Sequence, residues 1–100
     1  MQLIIESPRV QLNESLEELI RTKTSRLERV YNRITKCVIV LKKEKNDQDQ
    51  WYCIEAILSV PQKQLFAIER ADSFEAALQK VMDDLQRQLH RYKTERDEVR

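Results

Sequence analysis

The chain has no glycine anywhere in its 100 residues. Glycine takes up left-handed backbone without steric cost, so tight turns here must rely on Asn, Asp or Pro. Three stretches supply them: Ser7-Pro8, the polar run Asn46-Asp47-Gln48-Asp49-Gln50, and Pro61-Gln62-Lys63. The same absence removes the glycine-rich loops through which a backbone approaches the phosphates of a nucleotide.

Between these breaks the hydrophobic pattern changes period. Met1 to Glu6 is a short apolar strand that ends at Pro8, which cannot donate to a ladder. Asn13 is placed to cap a helix over residues 14–31, with Leu16, Leu19, Ile20, Leu27, Val30 and Tyr31 on one face. Lys36 to Lys45 holds the β-branched run Cys-Val-Ile-Val-Leu and predicts a second strand. Trp51 to Val60 predicts a third strand, paired with the second as a hairpin. Gln64 to Arg70 predicts a fourth, edge-like strand. Asp72 and Glu75 form a D-x-x-E capping pattern that opens a helix from Ser73 to Lys93. Its stripe is Phe74, Ala77, Leu78, Val81, Leu85, Leu89 and Tyr92.

The fold class is therefore α+β, in the order β-α-β-β-β-α, with two helices on one face of a four-stranded sheet. The first crossover should be right-handed and join parallel strands. A first hairpin symmetric about Gln48 would set Cys53 opposite Lys43 and Cys37 opposite Ser59. The thiols would then lie ~20 Å apart along the strands, and no bridge forms.

The length suits one domain, expected over residues 1–94, with a short charged tail at 95–100. The longest apolar run, Cys37 to Leu41, is far too short to span a bilayer. The two cysteines lack CxxC spacing and have one histidine to join them, which argues against a zinc site, and no cofactor is expected. With no targeting segment and no disulfide framework, the expected location is the cytoplasm.

Net charge is only +1, so a global basic signature for nucleic acid is missing. Its distribution is uneven. Residues 1–20 carry Arg9 against Glu6, Glu14, Glu17 and Glu18, a net of −3. Residues 21–45 carry nine Lys or Arg against Glu28 and Glu44, a net of +7. Residues 46–78 carry Lys63 and Arg70 against six acidic residues, a net of −4. The helix dipole explains part of this gradient, because Glu14, Glu17 and Glu18 open the first helix and Arg26, Arg29 and Arg33 close it.

Those cations also form rows. Arg26, Arg29 and Arg33 fall within about 60° of one another, and Lys80, Arg87 and Arg91 within about 40°. Lys42, Lys43 and Lys45 cluster at the end of the second strand. Helices packed side by side would present the rows as walls of one groove. Lys and Arg are the residues that neutralise phosphate and release its counterions. Structured RNA, which shows phosphates and 2′-hydroxyls across a shallow groove, is the favoured ligand. Catalysis is disfavoured: His90 is the only histidine and has no nucleophile or metal partner at useful spacing. Two rival readings are a protein-interaction module built on the Gln64–Arg70 edge, and an acylphosphatase-like hydrolase, which lacks its glycine-rich loop.

Four segments in order carry a family resemblance: Met1-Gln2-Leu3-Ile4-Ile5, Leu41-Lys42-Lys43-Glu44-Lys45, Asp72-Ser73-Phe74-Glu75-Ala76-Ala77, and the run from Leu85 to Lys93. The chain resembles the hibernation promoting factor family, also called ribosome-associated inhibitor or sigma-54 modulation proteins, over nearly its whole length. The resemblance implies a fold similar to double-stranded RNA-binding domains. It implies binding to 16S rRNA in the channel of the 30S ribosomal subunit where mRNA and tRNAs sit, blocking initiation and protecting idle ribosomes under stress. No membrane or DNA partner is implied, and the free chain is expected to be a monomer. Carried over by position, the rRNA-contacting set falls on Lys23, Arg26, Arg33, Lys42, Lys45, Arg87, Arg91 and Lys93. Arg29 and Lys80 join it through the rows above, and His90 lies between matched positions. Lys23 sits close to the apolar stripe and would reach phosphate by snorkelling. Many members carry Gly in the second hairpin turn, where Pro61-Gln62-Lys63 stands here. Long-form members also carry a C-terminal domain that pairs two ribosomes, so autonomous ribosome dimerisation is not expected of these 100 residues.

Overall fold

A computed structural model describes residues 1–45 and 47–98, apart from the side chains of 97 and 98. The elements are β1 (Gln2–Glu6), α1 (Glu14–Val30), β2 (Lys36–Lys45), β3 (Gln50–Val60), β4 (Lys63–Ala71) and α2 (Phe74–Glu98). The sheet order is β1-β2-β3-β4, with β1 parallel to β2 and the other pairs antiparallel.

Alternation along the strands decides which face is covered. Cys37, Ile39 and Leu41 on β2 lie beside Leu58, Ala56 and Ile54 on β3, and all six are buried. Leu65, Ala67 and Ala71 continue this face on β4. From α1 come Leu16, Ile20 and Leu27, and from α2 Leu78, Val81, Leu85 and Leu89. Burying each large side chain of this set stabilises the fold by about 1.5–3 kcal/mol. Thr24 is the one buried polar residue in the described core, and its hydroxyl donates to the Ile20 carbonyl at 2.7 Å.

The first hairpin closes one residue away from the symmetric register. Lys45 pairs with Gln50, so Cys53 lies opposite Lys42 and Cys37 opposite Leu58. The physical reason is the pleat: a slip of one residue would turn Ser59, Ile57 and Glu55 to the core and Leu58, Ala56 and Ile54 away from it. The two cysteines consequently point to opposite faces, and both are free and buried. Burial pushes the Cys37 thiol up to about 12.

The second hairpin turns on two residues, Pro61 and Gln62, between paired Val60 and Lys63. Gln62 has φ 67°, the left-handed value that glycine usually supplies. Proline followed by a residue of positive φ is the order of a type II turn. The helix caps are made by side chains. Asn13 Oδ1 accepts from the Leu16 N–H at 2.8 Å, as its spacing predicts. For α2 the cap lies one residue later than the D-x-x-E pattern suggests: Ser73 Oγ accepts from the Ala76 N–H at 3.1 Å. A hydroxyl at Ncap serves as well as a carboxylate, and the bonded amide is three residues on. At its other end α2 runs past Lys93 to Glu98, so residues 95–98 of the expected tail are helical. Residues 99 and 100 lie outside the described residues.

Both helices pack on the same side, and they run in the same direction. Lys23 Nζ donates to Gln79 Oε1 at 2.6 Å, and further along Lys93 Nζ donates to the Val30 carbonyl at 3.0 Å. Tyr31 and Tyr92 close the seam edge to face, with ring centroids 5.4 Å apart.

Candidate nucleic-acid interface

Parallel helices place like ends together. Glu14, Glu17 and Glu75 stand in the two first turns, with Glu18 just beyond. Arg26, Arg29, Arg87, Arg91, Lys93 and Arg96 stand towards the opposite, C-terminal ends, with Arg33 in the turn just past α1 rather than on the helix, and with Glu28, Glu95, Asp97 and Glu98 interspersed among them. Each helix alone favours this order, because acids suit its N-terminus and bases its C-terminus. Packing the helices in the same direction makes two small preferences into one polarised layer.

Arg26, Arg29, Arg33, Arg87 and Arg91 are all exposed. None of the five makes an ion pair or hydrogen bond to another described residue. An arginine held in solvent without a carboxylate partner retains its donors for a ligand. His90 is exposed on the same helix, between Arg87 and Arg91 in sequence.

The two arginine rows do not face each other across a groove. On α2, Gln79 and Lys93 meet α1, whereas Lys80 donates to the Arg70 carbonyl on β4 at 3.0 Å. Arg87 and Arg91 share the flank of Lys80 by helical spacing. Their row therefore runs along the β4 side of α2, while Arg26 and Arg29 lie on α1. The cations cover the outer surface of the helix layer and do not wall a cleft.

Four other sequence-predicted residues already hold structural partners. Lys23 and Lys93 are half-buried in the helix seam. Lys80, together with Gln88, whose amide donates to the Phe66 carbonyl at 2.8 Å, covers outward groups of edge strand β4. This closes part of the edge that a protein-interaction reading would use. Lys42 lies on the open face of the sheet, away from the helices, where its ammonium meets Glu55 at 2.8 Å. The Glu55 carboxylate raises the pKa of Lys42. Lys42 is thus separated from the arginines of the helix layer by strand alternation. Lys45, exposed at the end of β2, falls on the helix side of the strand, as does Lys43, which stands 5.8 Å from the Tyr52 ring.

Two cations were not singled out by pattern. Arg96 stacks on Tyr92 with its guanidinium 5.4 Å from the ring, and donates to the Tyr92 hydroxyl at 3.1 Å. Its i,i+4 spacing from Tyr92 is the signal, visible once α2 is allowed past Lys93. Arg9 lines an open cleft of about 280 Å³ with Pro8, Leu41, Lys42, Lys43 and Glu44. No sequence pattern marks it, since it stands in the loop between β1 and α1. Among the described residues no His, Cys, Asp and Glu group is arranged to hold a metal ion. No helix among them is long and apolar enough to cross a membrane.

Sheet order and parallel helices define a small α+β domain of β-α-β-β-β-α order, with both helices on one face of the sheet. A ribosomal subunit interface protein from Coxiella burnetii matches it with a TM-score of 0.82 at 21% identity, over 94% of this chain and 99% of that one. The N-terminal domain of Thermus thermophilus Protein Y matches with a TM-score of 0.79 at 17% identity, over 92% of this chain and 99% of that one. In sequence, a ribosome hibernation promoting factor of Salmonella typhimurium is 34% identical over 93 residues, 93% of this chain and 94% of the relative. The chain belongs to the Sigma 54 modulation protein / S30EA ribosomal protein family, whose model matches residues 3–97. The family is one of ribosomal factors and not of enzymes.

Proposed function

We propose that the chain is a ribosome hibernation factor. It binds the 30S subunit in the channel for mRNA and tRNA, contacts 16S rRNA, and silences translation by occupying that space while protecting the idle subunit. The observation that carries the reading is the set of five exposed arginines, four on the helix layer and Arg33 in the turn after α1, with no carboxylate partner among the described residues, in a chain of this family. Double-stranded RNA is read mostly by shape, through contacts to phosphates and 2′-hydroxyls across a shallow groove. Arg26, Arg29, Arg33, Arg87 and Arg91 form the centre of the contact, with His90 beside them and Lys45 at the strand end. Lys23, Lys80 and Lys93 join by turning from their internal partners, and Lys42 by leaving Glu55. A ribosomal factor of this kind works in the cytoplasm.

The test is a chemical footprint of 16S rRNA in 30S subunits with and without the protein, followed by competition with mRNA and initiator tRNA. Protection confined to nucleotides lining the channel, lost as mRNA and tRNA are added, is the expected result. Protection elsewhere on the subunit, or binding indifferent to mRNA and tRNA, contradicts the proposal.

A further inference from the structure

The face of the sheet that carries no helix is unusually apolar along its middle. Cross-strand partners share a face, so Ile4, Val38, Ile57 and Phe66 form one row across all four strands. Val40 and Ile68 stand in the next row, and Phe66 is 50% exposed. A sheet with one solvated face normally sets polar residues there. The polar groups lie to either side of the strip. Gln2, Lys36 and Ser59 are on one side, and Glu6 and Glu55 on the other.

We propose that this face pairs with the same face of a second copy of the chain, about a two-fold axis lying along the Ile4–Val38–Ile57–Phe66 row. Such an axis lays each flanking row over the opposite flanking row of the other copy, as an isologous interface requires. Lys36 of one copy then falls between Glu6 and Glu55 of the other, Gln2 meets Glu6, and Ser59 meets Glu55. The charges of the face are Lys36, Lys42 and Arg70 against Glu6, Glu44 and Glu55, so two copies meet without net repulsion. Two of the cations are already ion-paired within the face, Lys42 with Glu55 at 2.8 Å and Arg70 with Glu44 at 2.7 Å. The charges of this face balance and are largely paired, whereas Arg26, Arg29, Arg87 and Arg91 of the helix layer have no carboxylate partner among the described residues. Both helix layers stay outward in the pair.

The size of the face sets the strength. Four strands by three rows cover roughly 400 Å² per copy at ordinary strand spacings. Stable complexes bury about 800 Å² per partner, so this pair is a transient one that forms at high concentration.

Sedimentation of the full chain from about 10 µM to about 1 mM covers the range in which contacts this small dissociate. The average mass is expected to rise from 12.0 kDa towards that of a dimer and no further. Lys36→Glu and Glu6→Lys should each weaken association at least about tenfold, the loss expected of a like-charge contact. Their equimolar mixture should restore it in part, because the reversed 36–6 contact and the native one then both pair opposite charges, while the carboxylate introduced at position 36 still faces Glu55. Phe66→Ser should weaken association without change in the circular dichroism of the fold. A mass that stays at one chain throughout overturns the proposal. So does association indifferent to Phe66→Ser, or a mixture of the charge variants no better than either alone. A photo-crosslinker at position 66 that joins only ribosomal components, in a chain that stays monomeric, also overturns it and assigns the face to another occupant.

Discussion

Lys93 Nζ donates to the Val30 carbonyl oxygen at 3.0 Å, tying the last turn of α1 to the C-terminal half of α2. The last carbonyls of a helix have no partner within it, and a cation there also suits the helix dipole. Lys93 therefore has a structural role besides its charge. Lys93→Met is expected to cost about 1–2 kcal/mol of stability, the range for a charge-assisted bond to a partly buried carbonyl. Arg87→Met, which removes no internal partner, is expected to stay within about 0.5 kcal/mol. Urea unfolding of the two variants checks the contrast, and both should lose affinity for ribosomes.

Gln62 occupies the left-handed region at φ 67° in the Pro61-Gln62 turn. A side chain there costs about 1–2 kcal/mol, part of which glycine returns as greater freedom of the unfolded chain. Gln62→Gly should raise stability by about 0.5–1 kcal/mol, read as a higher urea midpoint at unchanged slope. A drop in stability would show that Gln62 makes compensating contacts.

Ser73 caps α2, and Asp72 does not. Ser73→Ala should cost about 1 kcal/mol, whereas Asp72→Ala should cost less than about 0.5 kcal/mol. Thermal unfolding of the two single variants ranks them, and the reverse order would restore the capping pattern read from Asp72 and Glu75.

Glu44 reaches across the open sheet face to Arg70, and the guanidinium hydrogen bond lowers the carboxyl pKa below its ordinary 4.5. A carboxylate depressed in the folded state contributes stability above its unfolded pKa and loses it as pH falls through the folded one. Stability should therefore decline in acid below 4.5, and the gap between the native chain and Glu44→Gln should close there. Urea midpoints measured from neutral pH into acid test this. A gap that persists at the lowest pH assigns the loss to other carboxylates.

Long periodic segments made most of the fold legible. The stripe from Phe74 to Tyr92 is buried almost residue for residue, and Asn13 caps α1 as its place before Glu14 suggests. The hairpin register was not legible from turn symmetry, because the core selects the face and overrides the centre of the loop. The end of α2 was obscured by the mixed charges after Lys93, which are compatible with a solvated helix as well as with a tail. For the candidate site, sequence spacing grouped Arg26 with Arg29 and Arg87 with Arg91. It did not separate Lys42 from them, since one step along a strand reverses the face. Nor did it show that Lys23, Lys80 and Lys93 bond within the fold, because those partners lie 10 to 63 residues away.

The most direct test of the account is the salt dependence of binding to 30S subunits, native against a chain with Arg26, Arg29, Arg33, Arg87 and Arg91 all changed to Gln. Each phosphate contact contributes about 0.7–0.9 to the slope of log affinity against log salt. The native chain should show a steep slope, and the variant should bind weakly with a slope lower by several such contributions while keeping its fold. A variant that binds as tightly as the native chain, with the same slope, would contradict the helix layer as the RNA-binding surface.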